Sequence, residues 1–437
     1  MRSIRNFLFL VLGLGASASW SLAAADELPR RPMLGASLAA DSAGARVNFV
    51  LPGSPAEKCG LKTDDIVTSF AAHATKTPVE VVEAVRWSPL DQPLAVQILR
   101  AGAAKTLTVR LTPAPTESDP DVQTIYGSIR VGDTLRRTLT TVPRGSNRRF
   151  PAVLIIGGIG CYTVDNPNDS ADVYRLLAHD LGRAGIVVMR LEKSGIGDSQ
   201  GGPCFNTDFN SESLSYKIAL QALCGDSHVD PEHVFLFGHS IGTVIGPQLA
   251  IETPVAGIIA ADGVARNWFE YELLNLRRQA ELGGDSPSVV DATLRLKEVC
   301  MHRLLIERQS KAEIERAMPE CSSHDSYPVA APYLQQVAAV NMAELWTRVS
   351  VPVLALYGTG DFVTSEEDHR RIAAIVNANH PGTAVLHTID GMDHYLTTAG
   401  TPQAAFNLRV VDHKEAPYDK RFSSEISTWI CAKAACG

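Results

Sequence analysis

From residue 150 onward the sequence alternates between two kinds of segment, and this alternation constrains the fold more than any other feature. Short apolar runs, FPAVLIIGG, IVVMRLE, VFLFGHS, VAGIIAADG, VPVLALYGTGD and TAVLHTIDG, are separated by amphipathic stretches such as VYRLLAHDLGRAG and LSYKIALQALCG. Strands that are apolar on both faces must be covered on both faces. The expected class is therefore α/β, with a mostly parallel sheet between two layers of helices. Ligands in such sheets bind beyond the carboxyl ends of the strands. One interval breaks the pattern: from about residue 265 to 347 the sequence is helical without strands. An insertion of this size between two core strands is expected to fold over the strand ends as a lid.

The chain has 437 residues, enough for two or three domains at roughly 100 to 200 residues each. Apolar residues make up 45% and charged residues 20%, as in globular proteins with real cores. The formal net charge is -8 and Lys and Arg form no long runs, so a nucleic-acid surface is not expected. The start differs from the rest. Arg2 and Arg5 precede FLFLVLGLG, and a small-residue run ends at Ala23-Ala24-Ala25. This reads as a secretory signal over residues 1–25, cut before Asp26. Its apolar core is too short to span a bilayer of about 30 Å, and no later run reaches about 18 apolar residues. A periplasmic or secreted protein without a stable membrane span after cleavage is expected.

Export changes how the cysteines read. There are eight, and an even count in an oxidising compartment permits disulfides. The nearest candidate pairs are Cys161 with Cys204, Cys300 with Cys321 and Cys431 with Cys436, leaving Cys59 and Cys224 as free thiols, although spacing alone does not fix the pairing. None of the spacings resembles a zinc site, and no metal is expected.

The clearest break in composition is LTPAPTESDPDVQ, rich in Pro, Asp, Ser and Thr and without an apolar period. It reads as a linker over residues 114–122 between a small module at 31–113 and a large one at 123–437. In the small module, Met33-Leu34-Gly35, Gly53-Ser54-Pro55-Ala56 and Gly60-Leu61-Lys62 stand around short strands and the helical stretch TPVEVVEAVRW. These segments resemble a PDZ domain, with the first of them at that family's carboxylate-binding loop. One departure is Asp64, where the family usually has Gly before an Asp; Asp tolerates a left-handed backbone better than most residues. The resemblance implies a groove beside Leu34 and Gly35 that pairs with an extended peptide or protein C-terminus. A packing module without a free ligand is the alternative.

In the large module, VFLFGHSIGT places Ser240 between Gly238 and Gly242, at the junction of an apolar strand and a helix. A nucleophile held out on a sharp turn requires this context. The backbone N–H of Ile241, at the helix start, is positioned to donate to a developing oxyanion. A serine hydroxyl needs a base, and the base needs an orienting acid. Asp361 follows the strand VPVLALYG and His394 follows VLHTIDG, so Ser, Asp and His occur in that order, each just after a core strand. Asp262, after the strand VAGIIAADG, is the reserve acid; Asp390 is a weaker candidate, and Asp393 is expected to shape the loop. The side chain of His239 is expected to point away from substrate. A second oxyanion donor is expected from IIGGIGCY, with the N–H of Ile159 the candidate.

Together with RLEKSGIGDSQGG, which carries Glu192, Lys193 and Ser194 in place of the usual acid, Arg and neighbours of the turn D-x-R-G-x-G-x-S, these motifs resemble the α/β-hydrolase superfamily. The similar branches are the serine-aminopeptidase-like and dienelactone-hydrolase-like ones. The resemblance implies an α/β-hydrolase domain with a helical lid, preceded by the small β-rich PDZ-like domain. It also implies acyl transfer from a small-molecule substrate to Ser240 and hydrolysis without a cofactor. Ester or thioester cleavage is the expected reaction. Trp268, Phe269 and Tyr271 are candidates to line an apolar acyl pocket, while Arg277, Arg278, His302 and Arg303 read as a solvated face or an anion contact. An aminopeptidase or amidase of the same fold is the alternative, with Glu270 and Glu272 as candidates for an amine site. An alternative of another class is a peptide-binding protein working through its PDZ-like module.

Overall fold

In the computed structural model, residues 28–145, 148–324, 327 and 329–436 are described, and the expected signal segment lies outside them. The small module is an antiparallel sheet running Ala36–Asp41, Gly44–Val50, Ile66–Phe70, Pro93–Arg100 and Ala103–Arg110 from edge to edge. Thr77 and Glu80 form a capping box that starts the helix Pro78–Arg86, with Pro at its first position. That helix turns Val81 and Val85 onto Val47, Val67, Phe70 and Ile98. Asp64 adopts φ 68°, the left-handed conformation that the usual Gly would take.

The large module holds an eight-stranded sheet in the order Ala384–Ile389, Val353–Gly358, Gly257–Ala261, Val229–His239, Phe150–Ile156, Val187–Leu191, Thr134–Pro143 and Val122–Val131. The last two strands form an antiparallel hairpin, and Thr134–Pro143 is also antiparallel to Val187–Leu191. All other neighbours are parallel. Strand alternation sends Leu154 and Ile156 to one face and Val153 and Ile155 to the other. The first face packs on the helices Phe209–Cys224 and Gly242–Glu252, the second on Val173–Arg183 and Lys420–Cys431. Both faces are covered, which is why these strands read as continuous apolar runs. Between Gly257–Ala261 and Val353–Gly358 the described residues are helical, with Trp268–Leu282 and Pro287–Met301 the longest helices. Disulfides join Cys161 to Cys204, Cys300 to Cys321 and Cys431 to Cys436, and Cys59 and Cys224 are free.

Residues 114–122, expected to be a linker, carry a buried carboxylate. Glu117 is buried and accepts from both terminal nitrogens of Arg190, at 2.8 and 2.7 Å, and lies 3.2 Å from His179. Arg190 is itself wholly buried in the strand Val187–Leu191. The small module and the residue before it are tied to the large module as well. Arg30 pairs with Asp165 and Asp198, Arg31 donates to the Ser199 carbonyl, and Arg86 donates to the Gly195 carbonyl. A composition-based reading sees Pro, Asp and Ser and infers a tether. The structure adds a buried partner, more than 70 positions further on.

Removing one member of a buried ion pair strands the other charge. Glu117→Ala is therefore expected to destabilise the chain by about 3 to 5 kcal/mol, measured as unfolding free energy in urea. A chain beginning at Asp121 is expected to lose as much. Burial alone would raise the Glu117 carboxyl, but the hydrogen bonds from His179 and Arg190 outweigh it and bring its pKa from 4.5 down to about 2. Its contribution is thus complete above about pH 4.5 and lost as the pH falls toward 2. An Ala variant within 1 kcal/mol of the parent would show that residues 114–122 are a tether after all.

Candidate active site

The strand Val229–His239 runs into the helix Gly242–Glu252 with Ser240 at the turn, at φ 56°. That left-handed conformation costs a non-glycine residue energy and marks a position held for use. The flanking glycines are required sterically. A Cβ on Gly238 would stand 2.4 Å from the Gly242 carbonyl oxygen, and one on Gly242 would stand 2.3 Å from that of Ile156. Among the described residues, Ser240 Oγ makes no hydrogen bond, and the N–H groups of Ile241 and Ile159 have no acceptor.

Asp361 and His394 meet behind the serine. His394 Nδ1 lies 2.9 Å from Asp361 Oδ2. The other carboxylate oxygen accepts the N–H groups of Val363 at 2.6 Å and Thr364 at 2.9 Å. Burial opposes the charged form of Asp361, but the charge and hydrogen bond of His394 outweigh it and hold the carboxyl well below its usual range. Burial likewise opposes the His394 imidazolium, yet the Asp361 charge and hydrogen bond raise its pKa above 6.5.

The other acids fall elsewhere. Asp390 accepts from Thr359 at an exposed edge. Asp393 takes the N–H groups of Tyr395 and Thr397 and pairs with Arg409, which fixes the loop that carries His394. Asp262 is wholly buried, and its Oδ1 accepts from the Gly358 N–H at 3.0 Å while its Oδ2 has no partner among the described residues. Burial, then the nearby charge of Asp361, push its pKa well above the usual carboxylate range.

Ser240 and His394 open into one cavity of about 400 Å³, shared with Gly158 and Ile159. Trp268, Tyr271 and Tyr327 of the insertion line it, facing Tyr162, Tyr174 and Tyr395. Phe269, expected beside Trp268, does not line it; helix periodicity turns that ring onto the lid core instead. Neither Arg277, Arg278, His302 nor Arg303 lines it. Arg277 pairs with Asp291 at the surface, and Arg278 donates to the Val363 carbonyl. Glu270 is bridged to Arg266, and buried Glu272 lies behind Tyr327, whose hydroxyl donates to it at 2.8 Å.

His239 corrects an expectation. Its ring forms part of the cavity wall rather than pointing away. Nε2 lies 2.8 Å from the His394 carbonyl oxygen and Nδ1 2.7 Å from the Tyr174 hydroxyl. A carbonyl only accepts, so Nε2 carries the proton and Nδ1 accepts from Tyr174. Burial, then the charge of His394, bring its pKa down to about 3, so the ring is neutral. The sequence offered little sign of Tyr174 or Tyr327. Tyr162 and Tyr395 were nearer to view, beside the Gly157-Gly158 loop and His394.

A second cavity, of about 660 Å³, follows the open edge of the strand Ala36–Asp41. Leu34 and Gly35 form one end, and Val81, Val82 and Val85 of the helix Pro78–Arg86 form the side. Gly35 has φ 80°, and a Cβ there would stand 2.3 Å from that of Ser54. Residues 163, 165–169 and 197–198 of the large module also line it. No group of three or more His, Cys, Asp or Glu that could hold a metal ion occurs among the described residues. No described helix is long and apolar enough to cross a membrane.

Comparison with known proteins agrees with this architecture. A family model described as serine aminopeptidase, S33, matches residues 167–398, and a PDZ-domain model matches residues 32–111. Esterase EstD of Thermotoga maritima is 24% identical over 293 residues, which take in 66% of this chain and 64% of that protein. A probable periplasmic serine endoprotease, DegP-like, of Marinomonas sp. is 36% identical over 81 residues, or 18% of this chain and 17% of that one. The matches thus span less than two thirds of these relatives. Among solved structures, Est1E from Butyrivibrio proteoclasticus, with ferulic acid bound, has a TM-score of 0.46 at 13% identity, over 70% of this chain and 98% of that one. With the S33 match taking in more than half of its length and the elbow, sheet and helical insertion in place, the chain belongs to the serine aminopeptidase S33 family of α/β-hydrolases and carries an N-terminal PDZ domain.

Proposed function

We propose that this chain is an exported serine hydrolase that cleaves carboxylic esters or thioesters through Ser240, His394 and Asp361. The observation that carries the proposal is the 2.9 Å contact between His394 Nδ1 and buried Asp361, with His394 and the elbow serine Ser240 both bordering one cavity. His394 Nε2 takes the proton of Ser240 as its oxygen attacks the acyl carbon. Asp361 holds the tautomer and stabilises the imidazolium. The N–H groups of Ile159 and Ile241 receive the oxyanion; each such donor is worth about 3 to 4 kcal/mol in the barrier. His394 then protonates the leaving alcohol, and water resolves the acyl-enzyme.

Aromatic rings make up most of the cavity wall, which suits an apolar acyl or alcohol group. A peptide amine would need a free carboxylate in the wall. Glu272 is covered by Tyr327 and lies 3.5 Å from Lys297, and Glu270 is turned to Arg266. Esters are therefore favoured over aminoacyl amides. The basic, apolar start and three disulfides support a periplasmic or secreted location. The free edge of Ala36–Asp41 supports binding of an extended peptide or C-terminus by strand addition.

A comparison of p-nitrophenyl butyrate with alanine p-nitroanilide tests the reaction class. The ester is expected to have a kcat/KM at least about 100-fold higher, corresponding to about 2.7 kcal/mol of differential transition-state binding. Faster anilide cleavage would make the chain an aminopeptidase.

A further inference from the structure

The buried pair Lys193–Glu212 has no part in the chemistry above, yet it lies against the oxyanion loop. Lys193 stands two residues beyond the strand Val187–Leu191, and Glu212 lies in the first turn of the helix Phe209–Cys224. Their charged atoms are 3.0 Å apart, with side chains only 6% and 8% exposed. A buried ion pair is seldom more stabilising than apolar residues of the same volume, so stability alone does not account for it.

Its other contact does. Lys193 Nζ donates to the carbonyl oxygen of Gly158 at 2.7 Å, and the Tyr162 hydroxyl donates to the same oxygen at 3.0 Å. The N–H of that peptide unit belongs to Ile159. In a planar trans peptide the C=O and the following N–H point in opposite directions. Two donors gripping the Gly158 oxygen therefore fix the direction of the Ile159 N–H. The peptide lies against the nucleophile, since a Cβ on Gly158 would stand 3.5 Å from Ser240 Cβ. The Gly158 N–H meets the Tyr174 hydroxyl at 3.2 Å, and the Cys161–Cys204 disulfide fastens the loop two residues beyond Ile159. A flip of the Gly158–Ile159 unit would put a carbonyl lone pair where the oxyanion donor belongs. It would also leave the Lys193 ammonium without one of its acceptors. A cation on the C=O further polarises the peptide and strengthens its N–H as a donor.

We propose that Lys193, held in place by Glu212, is a positioning residue for the oxyanion: it locks the Gly158–Ile159 peptide with the Ile159 N–H presented to the reacting carbonyl. This rests on the serine-hydrolase function proposed above. Lys193→Met is expected to lower kcat for p-nitrophenyl butyrate about 10- to 100-fold, with KM changed less than threefold. Phosphonylation of Ser240 by a fluorophosphonate should slow in parallel, because its transition state uses the same donors. Lys193→Met also strands the Glu212 charge, so the deciding variant is Lys193→Met/Glu212→Leu. Loss of both charges should return the melting temperature close to that of the parent without restoring kcat. A folded double variant within twofold of the parental kcat would overturn the proposal. If the double variant does not fold, Tyr162→Phe decides. It removes the other donor to the Gly158 oxygen and should cost about threefold or more in kcat, and a parental kcat would overturn the lock. Ser240→Ala, assayed alongside, separates the two levels. Retained turnover there refutes Ser240 as the nucleophile, whereas its loss beside an unaffected Lys193 variant refutes only the positioning role.

Discussion

Ser240→Ala is expected to lower ester turnover by about 10⁵- to 10⁶-fold, the scale on which loss of a triad nucleophile abolishes acyl transfer. The fold should not change. Ser240 Oγ makes no hydrogen bond among the described residues, and Ala at φ 56° carries the same Cβ strain as Ser. Circular dichroism and melting temperature should match the parent. The contacts that set the turn are made by its backbone: the Ser240 N–H donates to the Ala261 carbonyl at 3.0 Å, and its own carbonyl accepts from Thr243 Oγ1 at 2.7 Å. Labelling by a fluorophosphonate should vanish with the hydroxyl. Labelling that persists on a different serine in the Ala variant would end the assignment.

How far such residues were visible in the sequence depended on whether a local rule governs them. Gly238, Ser240 and Gly242 were legible because a strand-to-helix turn this tight admits no Cβ at the two flanking positions. Asp361 and His394 were legible because strand ends on one edge of a parallel sheet converge, so order along the chain substitutes for distance. His239 was not legible, because its ring reaches across to Tyr174 and the His394 carbonyl, contacts made by distant residues. Glu117 was invisible as well. Its neighbours look like a tether, and only Arg190, contributed by a distant strand, makes the position a buried one. Lys193 is visible in the sequence only as part of a turn motif. Its contact with Gly158 crosses between two loops, and no periodicity in the sequence reports that. Tyr327 joins the cavity from the far end of the insertion, where sequence shows helices but not how they pack.

Asp361→Asn should leave the fold intact and cut turnover by roughly 10³- to 10⁴-fold. The substitution keeps the volume, and an amide oxygen can still accept from Val363 and Thr364. What changes is the group facing His394 Nδ1. An amide N–H there demands an acceptor, which moves the imidazole proton to Nε2, the nitrogen that must take the proton of Ser240. The pH profile should change in a definite direction. In the parent the Asp361 charge overcomes burial and raises the His394 pKa above 6.5, so kcat/KM falls as the pH drops through that raised value. Without the charge, burial is opposed only by the smaller contributions of Asp262 and Asp393, and the acid limb of the residual activity should move down from the parent's. Asp262→Asn is the informative comparison. Its carboxyl accepts from the Gly358 N–H rather than meeting His394, so its replacement should cost less than about tenfold, or 1.4 kcal/mol. Asp390→Asn should cost still less, because that carboxylate only meets Thr359 at the surface. A thousandfold loss in Asp262→Asn or Asp390→Asn, with Asp361→Asn nearly unaffected, would transfer the role of the acid to another strand end and with it the base's orientation.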